Sequence, residues 1–314
     1  MNVLYIVVPC YNEEEVLPET ARRLREKMRA LIDGGGISPD SRVLLVNDGS
    51  RDRTWEMIRA LHEEDMLFDG LCLSRNRGHQ NAVLAGLMTA RKFADAAISI
   101  DADLQDDVNA IDGMVEKWLA GCDIVYGVRS ARTTDTVFKR ATAEGYYKIL
   151  NKLGGKVVYN HADYRLMSRR ALDALSEYGE VNLFLRGIVP MLGYKTDTVE
   201  YERAERFAGE SKYPLKKMVA LAVDGITGMS VTPLRFVTAA GIALLALSAA
   251  LLVVFLVGLC MGHSMLNWKI LLFAILFVGG LNMTGLGIVG EYVGKTYFET
   301  KHRPRYFISE YLHR

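Results

Sequence analysis

Four short apolar runs are each ended abruptly by polar residues, and this repeated pattern constrains the fold more than any other feature of the sequence. The runs are Leu4–Val8, Val43–Val46, Leu71–Leu73 and Ile98–Ile100. Continuous apolar runs of this length are typical of strands covered on both faces. Helical stretches follow the first three runs, at about 15–31, 54–62 and 79–90, and Ile124–Tyr126 gives a fifth strand. This alternation predicts an α/β fold with a mostly parallel sheet flanked by helices.

The polar clusters are predicted to lie together at one edge of this sheet, because each follows a strand directly. Ligands of open α/β sheets bind at the carboxyl ends of the strands. One such cluster suits an ordinary turn, whereas four on one edge predict a single site. Arg75, Arg77 and His79 could meet phosphates there or form a solvated basic turn. The clusters are Pro9–Glu14, Asn47–Ser50, Ser74–His79 and Asp101–Asp106.

The fourth cluster carries carboxylates at positions 101, 103 and 106. Asp101 and Asp103 are one residue apart and repel each other, so a cation is expected to hold them. A hard divalent ion such as Mg²⁺ or Mn²⁺, itself carrying substrate phosphates, is the natural candidate. The alternative is an acidic turn in which Asp106 and Asp107 favour the N-terminus of the next helix.

Composition excludes several other classes of protein. The chain has 38 basic and 37 acidic residues, so no nucleic acid partner is expected. The four cysteines are scattered, which fits a reducing compartment and gives no metal–thiolate site. The turn after the first strand lacks Gly-x-Gly-x-x-Gly, which argues against a dinucleotide-binding fold.

Three of these segments together resemble the successive signatures of family 2 glycosyltransferases, which have the GT-A fold. They are Pro9–Glu13, Asn47–Ser50 and Asp101–Asp103, and the resemblance extends over roughly 3–235. It implies that Asp103 ligates a Mg²⁺ or Mn²⁺ ion bridging the diphosphate of a nucleotide sugar. The residues that it implies in binding the nucleotide sugar are Pro9, Tyr11, Glu13, Asp48, Asp101, Ala102, Asp103, Gln105, Arg206 and Lys212.

The segment Asp163–Leu166 resembles the acceptor motif of polyprenyl-phosphate glycosyltransferases, the group of dolichyl-phosphate mannose synthase and bactoprenol glucosyltransferase. The resemblance makes Asp163 a catalytic base or an orienting group, and it makes Arg165 a ligand of the lipid phosphate. A structural Asp–Arg pair is the alternative. A phosphate monoester is already anionic near neutral pH, with a second pKa of about 6. We therefore expect Asp163 to position the acceptor more than to act as a strong base.

A loop rich in cations, residues 203–213, is similar to the phosphate-gripping loop of the same group. The similarity implies that Arg206, Ser211 and Lys212 close over the diphosphate or the lipid phosphate. A basic patch beside a membrane is the rival interpretation, and the two are compatible.

Two long uncharged segments follow this loop and predict a membrane hairpin. The predicted organisation is a catalytic domain (1–213), interfacial helices (214–235), two membrane helices (about 236–262 and 269–290) and a C-terminal tail (293–314). Each helix is long enough for the ~30 Å hydrocarbon core, at about 20 residues per crossing. Basic residues flank the outer ends, which predicts a cytoplasmic catalytic domain and cytoplasmic termini. In a bacterium this would be a multi-pass protein of the inner membrane.

Together these features and the resemblance favour an inverting transferase that moves a hexose from a nucleoside diphosphate to a polyprenyl phosphate. UDP-glucose is the favoured donor, because the resemblance to the bactoprenol subgroup is the closer one. The alternatives are a membrane transferase that extends a polysaccharide and a catalytically idle scaffold that binds nucleotide sugars. A homo-oligomer is compatible with the glycines of the second membrane segment. A separate flippase and a downstream transferase are expected, because two membrane helices are too few to flip the product.

Overall fold

A single sheet of eight strands organises the part of the chain that the computed structural model describes, residues 1–130, 161–202, 227, 230–261 and 268–314. The strands are β1 (Leu4–Cys10), β2 (Arg42–Asn47), β3 (Phe68–Leu73), β4 (Ala96–Ser99), β5 (Ile124–Arg129), β6 (His161–Ser168), β7 (Thr196–Tyr201) and β8 (Ile308–Leu312). The helices are α1 (Leu17–Asp33), α2 (Thr54–Glu64), α3 (His79–Ala90), α4 (Ala110–Leu119), α5 (Arg169–Ser176), α6 (Leu185–Met191), α7 (Thr232–Cys260) and α8 (Trp268–Thr300).

The strand order is β7-β5-β6-β4-β1-β2-β3-β8. Strand β1 lies parallel to β2 and β4, β2 is parallel to β3, and β5 is parallel to β7. Strand β6 runs antiparallel between β4 and β5, and β8 pairs antiparallel with β3 at the far edge. The prediction of a mostly parallel α/β sheet flanked by helices is confirmed.

Burial on both faces explains why the central strands are continuously apolar. All seven residues of β1 are buried. Ile6 and Val8 belong to a core on one face of the sheet, while Tyr5 and Val7 belong to a core on the other face. Helix α3 packs closely on the second face, where a Cβ at Gly86 would lie 2.2 Å from Cγ1 of Val7. Only glycine permits this approach.

Two antiparallel strands were not predicted from the sequence. Strand β6 contains the Asp163–Leu166 segment and is inserted into the middle of the sheet. Strand β8 lies in the predicted C-terminal tail, 293–314, so part of this tail belongs to the sheet. A side-chain contact directly after β8 also holds this strand on the sheet edge. Nδ1 of His313 lies 2.8 Å from Oδ2 of Asp69, a fully buried residue of β3.

Helices α7 and α8 extend beyond the predicted membrane segments. Helix α7 begins at Thr232, and α8 continues ten residues past position 290 to Thr300. The two helices touch near their outer ends, where a Cβ at Gly285 would lie 3.1 Å from Val237 and the Tyr292 hydroxyl donates to the Ser230 carbonyl. Many large apolar side chains on both are exposed, among them Phe236, Ile242, Leu251, Ile275 and Leu286.

By length and composition, residues 232–251 of α7 form the one helical segment of the described chain that meets the criteria for a membrane span, with a mean hydropathy of 1.9. The loop 203–213, most of the predicted interfacial region and the connection 262–267 lie outside the described residues.

Candidate active site

The turns after β1 and β2 are joined by hydrogen bonds. The Asn12 amide donates to Oγ of Ser50 over 3.0 Å, and the Arg51 amide donates to Oδ1 of Asn12 over 2.9 Å. Asn12 has a positive φ of 54°, a conformation that asparagine tolerates better than most residues. The Glu13 amide donates to Oγ1 of Thr54 over 2.9 Å. Hydrogen bonds from backbone amides to side-chain oxygens therefore hold this edge of the site in a fixed shape.

The predicted nucleotide ligands of these two turns occupy different environments. Pro9 is buried within β1 opposite Val46, whereas Tyr11 and Glu13 are half-buried at the strand end. Asp48 is 2% exposed, and its carboxylate accepts the backbone N–H groups of residues 77 and 78 over 2.7 and 2.9 Å. Burial raises the pKa of Asp48, and these two hydrogen bonds oppose the increase. In this structure the carboxylate fixes the turn after β3, and its contact with a nucleotide stays a prediction.

Gly49 allows the turns after β2 and β3 to touch. Its φ is +65°, and a Cβ there would lie 2.5 Å from the backbone nitrogen of Asn76. Any other L-residue would be strained by its backbone angle and would clash with the neighbouring main chain.

The turn after β4 presents the carboxylates that the sequence singled out. The Ala102 carbonyl accepts the Thr20 hydroxyl over 2.8 Å, which ties the turn to α1. Leu104 has a positive φ of 57°. The Gln105 amide then donates to Oδ1 of Asp103 over 3.2 Å. Asp103 and Gln105 are both half-buried at this edge.

Asp106 does not cap the following helix, contrary to the alternative interpretation of this turn. Helix α4 begins only at Ala110. The Asp106 side chain is buried and accepts the Tyr201 hydroxyl over 2.5 Å, with Nη2 of Arg129 at 3.3 Å. It therefore joins the turn after β4 to the ends of β5 and β7.

Several carboxylates interact with one another at this edge. Burial, together with repulsion from the carboxylates of Asp106, Asp163 and Asp103, raises the pKa of Asp101 to about 6 against the opposing effect of His79. The described residues contain no cluster of three or more metal-ligating side chains. A magnesium ion in a nucleotide site commonly uses one or two carboxylates together with substrate phosphates and water. Asp103 fits that coordination chemistry.

His79 lies between the turn after β4 and strand β6. Its Nε2 is 3.5 Å from Oδ1 of Asp101 and 3.7 Å from Oδ2 of Asp163. Burial lowers the pKa of His79, but the two carboxylates outweigh burial and raise the pKa to about 9. His79 is therefore an imidazolium near neutral pH, and it links the two acidic groups.

Asp163 is surrounded by cations. Its Oδ1 accepts Nη2 of Arg165 over 2.5 Å, and its Oδ2 accepts Nη2 of Arg186 over 3.0 Å. Burial opposes ionisation of Asp163, but Arg186, His79 and Arg165 together hold its pKa well below the usual range. A carboxylate with so low a pKa is a weak base, which favours an orienting role.

Arg165 occupies a different position from the one its predicted role requires. The side chain is 1% exposed, and its Nη1 donates to the Leu185 carbonyl over 3.3 Å. The buried guanidinium is paired with Asp163, as expected for the alternative of a structural Asp–Arg pair. Direct binding of an acceptor phosphate by Arg165 stays a prediction.

Arg186 is the site residue that the sequence argument missed. It lies in the first turn of α6, and its side chain is 37% exposed, so it can reach both Asp163 and a ligand in solvent. The signal was present, because Arg186 is the one charged residue in the apolar run Phe184–Leu192.

The cationic loop of the sequence argument, with Arg206, Ser211 and Lys212, lies outside the described residues. Its predicted contact with the diphosphate or the lipid phosphate therefore stays a prediction.

Comparison with known proteins identifies relatives of this chain. The model of Glycosyl transferase family 2 matches residues 5–176. Uncharacterized glycosyltransferase YkoT of Bacillus subtilis (strain 168) is 52% identical over 98% of this chain and 91% of its own length. The prophage bactoprenol glucosyl transferase homolog of Escherichia coli (strain K12) is 42% identical over 97% of each chain. Among solved structures, glucosyl-3-phosphoglycerate synthase from Mycobacterium tuberculosis, in complex with Mn²⁺, UDP and phosphoglyceric acid, is 17% identical with a TM-score of 0.45, over 72% of this chain and 76% of that chain.

Proposed function

Because the chain belongs to the family 2 glycosyltransferases, we propose that it transfers a hexose from a nucleoside diphosphate sugar to a polyprenyl phosphate, with inversion at the anomeric carbon. Glucose is the favoured sugar and UDP-glucose the favoured donor, since relatives named bactoprenol glucosyl transferase are similar over 97% of this chain. The observation that carries the proposal is the position of His79 between Asp101 and Asp163.

The two carboxylates belong to the two halves of the proposed reaction. Asp101 lies in the turn assigned to the nucleotide sugar, and Asp163 lies in the segment assigned to the acceptor. Both are less than 4 Å from the same imidazole nitrogen of His79, at 3.5 and 3.7 Å. A sugar bound at the first group and a phosphate bound at the second would therefore be close enough to react.

The charges around Asp163 favour an anionic acceptor. His79, Arg165 and Arg186 supply three positive charges around one carboxylate. Arg186 would bind the lipid phosphate, because a guanidinium forms strong, directional hydrogen bonds with phosphate oxygens. Asp163 would orient Arg186, and Arg165 would stabilise Asp163 from below.

The reaction needs little proton transfer from the protein. An oxygen of the acceptor phosphate attacks the anomeric carbon while the bond from that carbon to the diphosphate oxygen breaks. The electron pair leaves with the nucleoside diphosphate. A phosphate monoester is largely ionised above its second pKa of about 6, so the low pKa of Asp163 does not impede the reaction.

A Mg²⁺ or Mn²⁺ ion would be held by Asp103 together with the diphosphate. When bound, the ion would neutralise the charge that develops on the leaving diphosphate. Asp103 is half-buried in the turn after β4, and the neighbouring carboxylates there favour a cation.

The path of the chain supports a membrane hairpin with both ends on the same side, which the basic residues flanking the two helices predict to be the cytoplasmic side. Strand β8 pairs with β3, so the residues after α8 return to the same sheet from which the chain departs. An even number of membrane crossings between β7 and β8 is therefore required. Helices α7 and α8, with 29 and 33 residues, are each longer than the ~20 residues that a crossing needs. Their exposed apolar side chains would face lipid.

The experiment uses the purified full-length chain in detergent with undecaprenyl phosphate, Mg²⁺ and a panel of radiolabelled nucleotide sugars. Organic extraction separates lipid-linked sugar from soluble products, and a reaction without lipid is the control. We expect label in the organic phase with UDP-glucose. Label only in a soluble polymer would favour the polysaccharide-extending alternative. Nucleotide binding without transfer from any donor would favour the idle scaffold.

A further inference from the structure

Glu299 is an acidic residue in an unfavourable place. It is the second-last residue of α8, where the helix dipole disfavours a negative charge. Its carboxylate accepts the backbone N–H groups of Val181 and Asn182, each over 2.8 Å, and the side-chain amide of Asn182 over 2.6 Å. Burial opposes its ionisation, but the donated hydrogen bonds outweigh burial and lower its pKa. Hydrogen bonds from Val181 and Asn182 thus stabilise the negative charge of Glu299.

The residues that Glu299 holds lead directly into the acceptor side of the site. Residues 177–184 contain no helix or strand and connect α5 to α6. Asn182 precedes Arg186 by four residues, a distance that the backbone spans in at most about 14 Å. Because this segment lacks the regular backbone hydrogen bonds of a helix or strand, contacts with other parts of the chain must fix its position.

A second set of contacts fixes the start of α6. The Leu185 amide donates to Oε1 of Gln80 over 2.8 Å, and the Leu185 carbonyl accepts Arg165 over 3.3 Å. Gln80 is the residue after His79 on α3. The chain from 181 to 186 is therefore held at one end by α8 and at the other by the residues around Asp163.

From these contacts we propose that Glu299 is a positioning residue, through which the end of α8 fixes the segment that presents Arg186 to the acceptor phosphate. The proposal rests on the function proposed above, and it adds a connection between the apolar helix and the reacting groups. Glu299 touches no reacting atom. It acts by limiting the positions available to Arg186, and a misplacement of about 1 Å at a reacting group can lower a rate strongly.

The test compares Glu299→Gln with Glu291→Gln in the full-length protein. Glu291 lies on the same helix, is exposed, and is 3.8 Å from Lys295, so its variant loses a charge without touching residues 177–184. Glutamine at 299 has nearly the same shape, but it loses the charge and directs an NH₂ group at an N–H donor. Rates of lipid-linked sugar formation are measured against acceptor and donor separately, together with nucleotide binding and the melting temperature.

For Glu299→Gln we expect kcat/KM for undecaprenyl phosphate to fall by about tenfold or more, since hydrogen bonds to a charged group are lost. KM for the nucleotide sugar should change by less than about twofold, as should every constant of Glu291→Gln. The double variant Arg186→Lys/Glu299→Gln should be no worse than Arg186→Lys alone, because both act through one group.

Equal losses toward donor and acceptor, or a rate that only follows the folded fraction, would overturn the proposal. So would additive effects in the double variant. If Glu299→Gln does not fold, Asn182→Ala removes a single donor to the same carboxylate and should shift the acceptor constants in the same direction. A wild-type protein that makes no lipid-linked sugar contradicts the proposed function. An active wild type with an unaltered Glu299→Gln contradicts only the role of Glu299.

Discussion

Arg186 and Asp163 form a two-point ion pair across the acceptor side of the site. Nη2 of Arg186 donates to Oδ2 of Asp163 over 3.0 Å, and its Nε donates to Oδ1 over 3.3 Å. The two residues come from α6 and β6, which are separated in sequence by α5. The Arg186 side chain is 37% exposed, so we propose that the same arginine is oriented by the carboxylate and binds a phosphate.

Replacing Arg186 should weaken acceptor use selectively. We expect Arg186→Ala to lower kcat/KM for undecaprenyl phosphate by roughly tenfold to a hundredfold, because a charged hydrogen bond to the phosphate is lost. Binding of the nucleotide, measured by calorimetry, should be retained. Arg170→Ala is the matched control, since Arg170 also pairs with a carboxylate, that of Asp123 at 2.5 Å, but lies 64% exposed away from the site. Equal effects of the two variants would contradict the assignment.

Asp163→Asn should impair both transfer and stability. The neutral side chain leaves the buried Arg165 without its counter-charge, and breaking a buried pair costs up to about 3–5 kcal/mol. We expect the transfer rate per folded molecule to fall far more than nucleotide affinity. Asp123→Asn removes a pair with an exposed arginine and should cost about 1 kcal/mol or less. If nucleotide affinity fell as much as the rate did, Asp163 would belong to the donor side.

His79 should give acceptor use a dependence on alkaline pH. Its pKa is raised to about 9 in the folded protein, from about 6.5 for an unperturbed histidine. The protonated ring therefore stabilises the folded protein fully below pH ~6.5, and this contribution is lost as the pH rises through about 9. Activity follows the pKa of the folded protein, so we expect kcat/KM for the lipid acceptor to decline as the pH rises through about 9.

The variant His79→Gln cannot become protonated and should show a low rate without this decline. His302→Gln, on the exposed turn after α8, should keep the wild-type profile. An unchanged alkaline profile in His79→Gln would show that another group titrates.

The metal prediction concerns Asp103. Asp103→Ala should abolish metal-dependent transfer while the melting temperature stays close to that of the wild type, because the side chain is only half-buried. Asp107→Ala removes an exposed carboxylate four residues away and should remain active with Mg²⁺. Wild-type turnover that persists in excess EDTA would contradict the role of a metal.

The central strands could be predicted because a strand that is buried on both faces has a continuous apolar sequence. The run Leu4–Val8 is apolar at every position, and all of β1 is buried. The turn with Asp101 and Asp103 could be placed for the same reason, because it follows such a strand. These features depend on nearest neighbours along the chain, and single-sequence patterns report them well.

The missed features depend on pairing between distant residues. Strand β8 mixes exposed and half-buried residues and becomes a strand only because β3 offers an open edge. Arg165 looked available for a ligand, but the insertion of β6 between β4 and β5 buries it. Arg186 acquires its role from a contact with Asp163, 23 positions earlier. No local periodicity records such contacts.

The pairing of β8 with β3 leads to a prediction about topology. If α7 and α8 both cross the membrane, a reporter inserted after Met265 should lie on the non-cytoplasmic face. A reporter fused after Arg314 should lie in the cytoplasm, because β8 is part of the catalytic sheet. The matched measurement is a reporter that precedes Met1, which should also be cytoplasmic. A cytoplasmic signal at 265 would contradict the hairpin. A non-cytoplasmic signal at both 265 and 314 would require a single crossing, which would separate β8 from β3 and lower the stability of the sheet edge.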